Sequence, residues 1–224
     1  MDHNGFDFQQ IAESIRQKAM TIDDEQIRKM EAEEAEDRRA NSLAVLAQWD
    51  VPRRAIDALR APRETRLLDT VRHWAERGDE AWCLLLSSSP GLGKSVAAAW
   101  WLGDKADGLR PGHMGSFPLW WPASKLARVD SYDGTLDRIA KGGVLVIDDL
   151  GVEFNDTKGN FRSRLDELLD ARYANYRRTI ITTNLNAGEF KARYGERIVD
   201  RIREAGGDAF HEFKGQSLRG VANG

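Results

Sequence analysis

From residue 81 to residue 213, short apolar runs alternate with stretches whose apolar residues recur at helical spacing. The runs are apolar at successive positions, which is typical of strands buried on both faces of a parallel sheet. These runs predict strands at 81–87, 116–121, 143–148, 178–183 and 208–213. The stretches between them predict helices at 94–103, 123–129, 134–141, 160–177, 187–193 and 195–205. The alternation predicts an α/β fold with a five-stranded, mostly parallel sheet flanked by helices, and ligands in such folds bind at the carboxyl ends of the strands.

Two helices are predicted in the N-terminal region, and neither has enough apolar positions to build a core of its own. The first has one apolar face, and the second begins at Thr21, which can cap it together with Asp24. The sequence leaves two alternatives open: these helices pack on the main body, or they bind a partner. Pro52 and Pro62 interrupt the chain after them, and a further helix is predicted at 63–77. The apolar residues of the first two helices are Phe8, Ile11, Ile15, Ala19, Leu43, Leu46 and Trp49.

Charge is distributed unevenly along the 224 residues. The net charge is −3, yet residues 1–40 hold 11 acidic and 6 basic side chains. We therefore predict an acidic helical extension at residues 1–45 that serves for partner docking, followed by one domain at 46–224. The lone cysteine, Cys83, lies in an apolar run and excludes a disulfide framework. No apolar run is long enough to span a membrane and the N-terminus has no signal-peptide pattern, which predicts a cytoplasmic protein with no membrane partner.

The first predicted strand ends in SSSPGLGKS, which resembles the phosphate-binding loop G-x-x-x-x-G-K-[ST]. Ser88 stands where that pattern has its first glycine. Gly91 and Gly93 allow the backbone to curl until several N–H groups face one point, and the following helix adds its positive end. Lys94 would then reach the β- and γ-phosphates of a nucleotide, and the Ser95 hydroxyl would bind Mg²⁺. An ordinary glycine-rich turn is the alternative, but a strand before the loop and a helix after it favour a nucleotide site.

Two adjacent carboxylates end the third predicted strand, in the run VLVIDDLG. Because parallel strands deliver their carboxyl ends to one edge of the sheet, these acids are expected beside the phosphate loop. We predict that Asp148 holds Mg²⁺, largely through water, and that Asp149 orients or deprotonates the attacking water. A helix N-cap is the alternative, which explains one aspartate well but two poorly. The next strand, TIITTN, ends in Asn184, whose amide would position the water beside the γ-phosphate.

An ordered set of motifs resembles the AAA+ ATPases of the DnaC/IstB type, which are bacterial and phage helicase loaders and transposition ATPases. The motifs are SPGLGKS, VLVIDDLG, ARYANYRRTIITTN, YGERIVDRI and FKGQSLRG, and the likeness covers about residues 45–222. The resemblance implies a P-loop AAA+ core and an ATPase that binds ATP or ADP with Mg²⁺. We expect no large C-terminal helical lid, since few residues follow Arg219.

The resemblance also implies roles for individual residues. Arg201 matches the arginine finger that reaches the γ-phosphate of a neighbouring subunit, and Arg197, on the same helical face, supports it. Without the resemblance, an ion pair of these arginines with Glu196 or Asp200 would be preferred. Arg219 matches the second sensor arginine. The predicted catalytic residues are Asp149, Asn184, Arg201 and Lys94, the predicted metal ligands are Ser95 and Asp148, and the predicted nucleotide-binding residues are Ser89, Pro90, Gly91, Leu92, Gly93, Lys94, Ser95, Val96 and Arg219.

Three functions are compatible with such an ATPase. The first is loading of a replicative DNA helicase, in which the N-terminal helices dock on the helicase, subunits associate through the Arg201 face, and the body contacts single-stranded DNA. The second is an IstB-type transposition accessory ATPase on duplex DNA, which the acidic extension and near-neutral body disfavour. The third is a nucleotide-gated adaptor with little hydrolysis. Candidate DNA contacts are Lys125, Arg128, Lys141, Trp100, Trp101, Trp120 and Trp121.

Each of these DNA contacts has a simpler alternative. A single basic residue on a helix is most often part of a solvated face. One tryptophan of each adjacent pair is expected to fill the core.

The length of the second acid affects the expected rate of hydrolysis. The carboxylate of Asp149 ends one carbon bond, about 1.5 Å, short of a glutamate carboxylate. A displacement of roughly 1 Å in a catalytic group can cost ~10²-fold in rate. We therefore predict slow basal hydrolysis that rises when the helicase or single-stranded DNA closes the site.

Overall fold

The structure is a computed structural model and describes residues 24–78, 81–106, 120–130, 133–153, 160–206 and 209–218. The chain divides into two units, residues 1–40 and residues 41–224. The described part of the first unit belongs to helix α1 (Asp24–Gln48), and its side chains are exposed from Gln26 to Ala40. The first predicted helix lies outside the described residues, and so does Thr21, the predicted cap of the second helix.

The described strands are β1 (Cys83–Ser88), β2 (Trp120–Pro122), β3 (Leu145–Leu150), β4 (Thr179–Thr183) and β5 (Phe210–Phe213). These five strands form one sheet in the order β2-β3-β4-β1-β5. All four pairings between neighbouring strands are parallel, which confirms the predicted α/β fold and its five-stranded sheet. β1 lies between β4 and β5, and it is buried along its whole length, as its uninterrupted apolar run predicted. Residues 116–119 of the predicted second strand lie outside the described part of the chain.

Helices cover both faces of the sheet, so that the second unit has two cores. The face of Leu84 and Leu86 packs against residues 45–59 and the helices at 66–76 and 94–105. The opposite face, with Leu85, packs against the helices that lie between residues 123 and 204. Successive residues of β1 therefore enter different cores, as the pleat of a strand requires. The described helices of this unit after α1 are α2 (Arg53–Leu59), α3 (Arg66–Glu76), α4 (Lys94–Lys105), α5 (Ala123–Leu126), α6 (Thr135–Lys141), α7 (Asn160–Tyr173), α8 (Ala187–Tyr194) and α9 (Glu196–Glu204).

Helix α2 was not predicted from the sequence, because Pro52 was interpreted as a break in the chain. In the structure Pro52 is the N-cap residue of this helix, directly before its first residue Arg53, and it has a φ of −56°. The fixed φ of proline and its missing N–H suit the start of a helix, where the first N–H groups have no partner within the helix. Ala55, Ile56 and Leu59 are buried on one face of α2. The helical spacing of these three apolar residues could have predicted α2 from the sequence.

A buried arginine, Arg172, joins the end of α6 to the chain around β4. Its side chain has no exposed surface. Nη1 donates to the carbonyls of Ile139 and Gly142 at 2.9 and 2.8 Å, Nη2 donates to the Arg178 carbonyl at 2.8 Å, and Nε donates to Thr179 Oγ1 at 2.8 Å. The positive charge lies against the negative C-terminal end of α6, which is the favourable arrangement. Burial lowers the pKa of Arg172 to about 9.

None of the described helices combines the length and the apolar composition needed to cross a membrane.

Candidate nucleotide-binding site

The carboxyl ends of β1, β3 and β4 lie at one edge of the sheet, and polar side chains follow each strand. After β1 the chain forms the loop of residues 88–95 and enters α4. Gly91 and Gly93 have φ angles of 91° and 93°, in the left-handed region that glycine occupies without strain. A Cβ atom on Gly91 would also lie 2.1 Å from Ser217 Oγ, so a larger residue there would displace the Ser217 hydroxyl. The loop therefore has the glycine-dependent curl expected of a phosphate-binding loop.

Lys94 and Asn184, which were predicted from separate motifs, are in direct contact. Lys94 Nζ donates to Asn184 Oδ1 at 2.9 Å, to the Ser88 carbonyl at 2.8 Å and to Ser88 Oγ at 2.9 Å. The lysine is buried, and a buried ammonium needs acceptors of this kind. Ser88, the residue that departs from the phosphate-loop pattern, therefore supplies part of the lysine environment through its own hydroxyl.

Asp148 is buried at the end of β3 and accepts two hydroxyl hydrogen bonds on the same oxygen. Ser95 Oγ donates to Asp148 Oδ1 at 2.9 Å, and Thr182 Oγ1 donates at 2.7 Å. Burial raises the pKa of Asp148 above its usual value; the Thr182 hydrogen bond opposes this effect, and the charge of Asp149 adds to it. Thr182 was not among the predicted site residues, because a threonine within a buried strand is explained by β-propensity alone.

Asp149 lies at an irregular point of β3. The pairing of β3 with β4 shifts between Ile147 and Leu150, and Asp149 has a φ of 55°. The backbone N–H of Asp149 donates to Thr182 Oγ1 at 2.9 Å, so the same threonine holds both acids. Aspartate enters this left-handed region more readily than most residues with a side chain. The backbone therefore gives a reason for the shorter acid that is independent of the rate of hydrolysis.

Ser95 Oγ and Asp148 Oδ1 form a pair of adjacent oxygen atoms that fits Mg²⁺. The two atoms are 2.9 Å apart. Mg²⁺ in nucleotide sites takes one or two protein oxygens and completes its octahedron with phosphate oxygens and water. Within the described residues, no group of three or more His, Cys, Asp or Glu is placed to hold a metal ion. The residues present thus fit an ion that binds together with a nucleotide.

The other predicted nucleotide-binding residues lie on the loop, at the start of α4 or near the C-terminus. Arg219 lies outside the described residues. The segment before it reaches the phosphate loop, since Leu218 N donates to the Gly91 carbonyl at 2.9 Å. Ser89 and Pro90, on the loop, are exposed. Leu92, on the loop, and Val96, in α4, are partly buried against the core.

Arg201 forms its ion pairs with α7. Its Nη1 lies 2.6 Å from Asp166 Oδ1, its Nη2 lies 2.5 Å from Asp170 Oδ1, and its side chain is only 14% exposed. Arg197 lies 3.4 Å from the same two carboxylates. These arginines are thus ion-paired, but with another helix rather than with their neighbours in the sequence. A residue that acts on a neighbouring subunit need not contact its own phosphate loop, so the role of Arg201 as a finger stays a prediction.

The predicted DNA contacts differ in their surroundings. Lys125 Nζ lies 2.6 Å from Asp50 and 5.1 Å from the centre of the Trp121 ring, and Lys141 pairs with Asp137 at 2.7 Å. The expectation that one tryptophan of each pair fills the core is confirmed for the first pair and wrong for the second, in which both are buried. Arg128 is exposed, Trp100 is partly buried, and the buried tryptophans are Trp101, Trp120 and Trp121.

Comparison with solved structures shows which fold this is. A crystal structure of the DnaC helicase loader has 24% sequence identity and a TM-score of 0.50, covering 68% of this chain and 92% of that chain. A crystal structure of DnaI has 21% identity and a TM-score of 0.51, covering 73% and 93%. AMPPCP-bound DnaA from Aquifex aeolicus has 16% identity and a TM-score of 0.50, covering 64% and 44%. The chain therefore has a DnaC-like AAA+ fold, as predicted. At these identities the likeness establishes the fold alone.

Sequence comparison adds no closer relation, since no protein-family model and no curated protein matches the chain.

Replacing Asp148 by asparagine is expected to raise the melting temperature at pH 7 by about 2–4 °C, the effect of ~1 kcal/mol in a domain of this size. Asparagine keeps an Oδ1 that accepts both hydroxyl hydrogen bonds, and it removes a buried charge beside Asp149. Because the pKa of Asp148 is raised in the folded protein, its penalty is present above that raised pKa and disappears below the unfolded value of ~3.9. The gain should therefore shrink as the pH falls.

Thermal unfolding followed by circular dichroism between pH 7 and pH 4 measures this difference. Asp104→Asn, which changes an exposed acid near the end of α4, is the control and should change the melting temperature little. A lower melting temperature for Asp148→Asn at pH 7 would contradict the prediction.

Proposed function

We propose that the chain is an ATP-dependent loader of a replicative DNA helicase, in which ATP hydrolysis acts as a switch. The ATPase activity in this proposal is supported by the side chains that meet at one edge of the sheet, where Lys94 contacts Asn184 and Ser95 contacts Asp148. The loader part is supported by the DnaC-like fold, because the DnaC structure is that of a helicase loader.

Phosphate binding in this proposal uses the loop of residues 88–95. Its backbone N–H groups and the N-terminal end of α4 bind the phosphates, and Lys94 neutralises the β- and γ-phosphates. Asn184 already accepts a hydrogen bond from the lysine, so it lies where an amide can orient groups at the γ-phosphate. Mg²⁺ held by Ser95 and Asp148 would neutralise charge that develops on the phosphoryl oxygens. Arg219 follows the segment that contacts Gly91 and would add a further positive charge.

Hydrolysis in this proposal depends on Asp149 and on a second subunit. The Asp149 carboxylate orients the attacking water or accepts its proton. Arg201 of a neighbouring subunit stabilises the negative charge of the transition state, which in other phosphoryl-transfer enzymes contributes ~10³–10⁵ in rate. Asp166 and Asp170 hold the Arg201 guanidinium by both of its terminal nitrogens. A single subunit is therefore expected to hydrolyse ATP slowly, which suits a switch that responds to assembly and to DNA.

Helicase docking in this proposal uses the N-terminal extension. α1 is exposed from Gln26 to Ala40, and its exposed apolar side chains include Ile27 at 42% and Met30 at 56%. The acidic run at 31–37 follows them. Exposed apolar residues on an acidic helix favour a partner surface that is apolar with a basic rim. The body of the chain would contact single-stranded DNA.

The test is ATP turnover with and without the cognate helicase and single-stranded DNA, for the full chain and for a variant that lacks residues 1–40, the first of the two units. The full chain should turn over slowly alone and faster with both partners. The shortened chain should keep the basal rate and lose the stimulation by helicase, because its docking helices are missing. Full stimulation of the shortened chain would contradict the docking role, and a full chain that binds no ATP would contradict the ATPase role.

A further inference from the structure

A buried carboxylate, Glu153, lies on the turn that follows the paired acids and had no place in the sequence predictions. Its side chain is 1% exposed. Oε2 accepts from the Gly151 N–H at 2.7 Å, and Oε1 accepts from Arg193 Nε and Nη2 at 2.9 and 2.8 Å and from the Tyr194 hydroxyl at 2.6 Å. Burial raises the pKa of Tyr194, which keeps its phenol protonated as a donor. A buried carboxylate is tolerated when it is paired and hydrogen-bonded in this way.

One oxygen of Glu153 fixes the turn that carries Asp149. Within this turn Val152 N donates to the Asp149 carbonyl at 3.2 Å, and Gly151, which donates to Glu153, has a φ of 115°. A Cβ atom on Gly151 would lie 3.0 Å from Leu185 Cγ, so the turn is also packed closely against the chain after β4. The left-handed backbone of Asp149 thus lies between the Thr182 hydrogen bond on one side and the Glu153 anchor on the other.

The other oxygen of Glu153 is bound at the corner between α8 and α9. Arg193 and Tyr194 are the last residues of α8, and Gly195, with a φ of 91°, separates them from α9, which carries Arg201. Arg193 Nη2 also donates to the Glu153 carbonyl at 2.9 Å, so both the side chain and the backbone of Glu153 are held at this corner. A single carboxylate therefore bridges the turn of one proposed catalytic group and the helix of another.

We propose that Glu153 is a positioning residue for ATP hydrolysis, which keeps the turn of Asp149 in a fixed position relative to the corner between α8 and α9. This inference rests on the proposed ATPase function. Glu153 makes no contact with Lys94, Ser95 or Asp148 in the hydrogen bonds described above, so its loss should disturb hydrolysis without disturbing nucleotide binding. Since a displacement of roughly 1 Å in a catalytic group can cost ~10²-fold in rate, Glu153→Gln is expected to lower the rate of hydrolysis by about 10- to 100-fold.

The experiment measures single-turnover ATP hydrolysis and ATP affinity on the full chain with its stimulating partners. The variants are Glu153→Gln, Asp149→Asn and the double variant, with Glu189→Gln as the matched control. Like Glu153, Glu189 is a hydrogen-bonded carboxylate. It lies in the first turn of α8, where it forms the exposed capping box with Asn186. If Glu153 acts through Asp149, the rate loss from Glu153→Gln should disappear in the Asp149→Asn background, because groups that act as a unit are not additive.

Support therefore requires a slower hydrolysis step, unchanged ATP affinity, a normal Glu189→Gln control and no further loss in the double variant. A Glu153→Gln rate equal to the parent rate overturns the inference, and so does a parallel loss of ATP affinity or a full loss in the double variant. These results leave the proposed ATPase function standing, whereas a parent chain that binds no ATP overturns both. If Glu153→Gln fails to fold, Tyr194→Phe removes only one hydrogen bond from Oε1 and should show the same pattern in weaker form.

Discussion

Replacing Lys94 by methionine is expected to weaken ATP binding by about 100-fold or more. A hydrogen bond to a charged group contributes ~1.5–3 kcal/mol, and the upper value corresponds to ~10²-fold in affinity. Lys94 supplies such bonds from a buried ammonium whose place is set by Ser88 and Asn184. Methionine is unbranched and fills the buried path of the side chain, so the loss should report the missing charge rather than a cavity.

Titration with a fluorescent ATP analogue in the presence of Mg²⁺ measures the effect. Lys105→Met is the matched control, since Lys105 lies in the last turn of the same helix, is exposed and pairs with Asp104. It should bind ATP like the parent. Unchanged affinity in Lys94→Met, at a melting temperature close to that of the parent, would contradict the nucleotide site itself.

Replacing Arg172 by methionine is expected to lower the free energy of unfolding by about 3–5 kcal/mol, because each buried acceptor left without a donor costs ~1–3 kcal/mol. The Gly142 carbonyl and Thr179 Oγ1 would lose the donors described for them. The carbonyls of Ile139 and Arg178 would each lose one donor and keep a backbone N–H, from Gly142 and Leu145. Part of the loss is offset, because the folded protein no longer has to bury the guanidinium, whose lowered pKa reflects that cost.

Urea unfolding of Arg172→Met and of Arg54→Met compares a buried with an exposed arginine. Arg54 lies on the exposed side of α2, and its replacement should change the free energy of unfolding by no more than ~0.5 kcal/mol. Equal midpoints for the two variants would show that the Arg172 hydrogen bonds contribute little to stability.

The core motifs could be predicted because each is encoded in a continuous stretch. A buried strand followed by glycines and Lys94, or by Asp148 and Asp149, is visible in a single run of residues. The parallel sheet then brings these stretches together without further information, since all carboxyl ends lie on one side. The contact between Lys94 and Asn184 follows from two such stretches on the adjacent strands β1 and β4.

The residues that support the site could not be predicted in this way. Thr182 and Glu153 are polar residues with partners far along the chain, Asp148 for Thr182 and Arg193 for Glu153, and neither belongs to a pattern of spacing. Ser88 was noted only as a departure from the phosphate-loop pattern, while its hydroxyl binds the lysine. Arg172 was part of the resemblance to a family, but its place against the end of α6 depends on the packing of α7 beside that helix.

The place of β1 between β4 and β5 also determines when the protein can fold during its synthesis. Leu85 pairs with Ile181 in β4 and with Phe210 in β5, and both of these strands are translated last. At ~5–20 residues per second the wait is on the order of 10 s. The apolar residues of β1 have no sheet neighbour during that time and are exposed to aggregation or to chaperones. A nascent chain that stops before β4 would leave β1 without either neighbour, so ATP binding is expected only after translation is nearly complete.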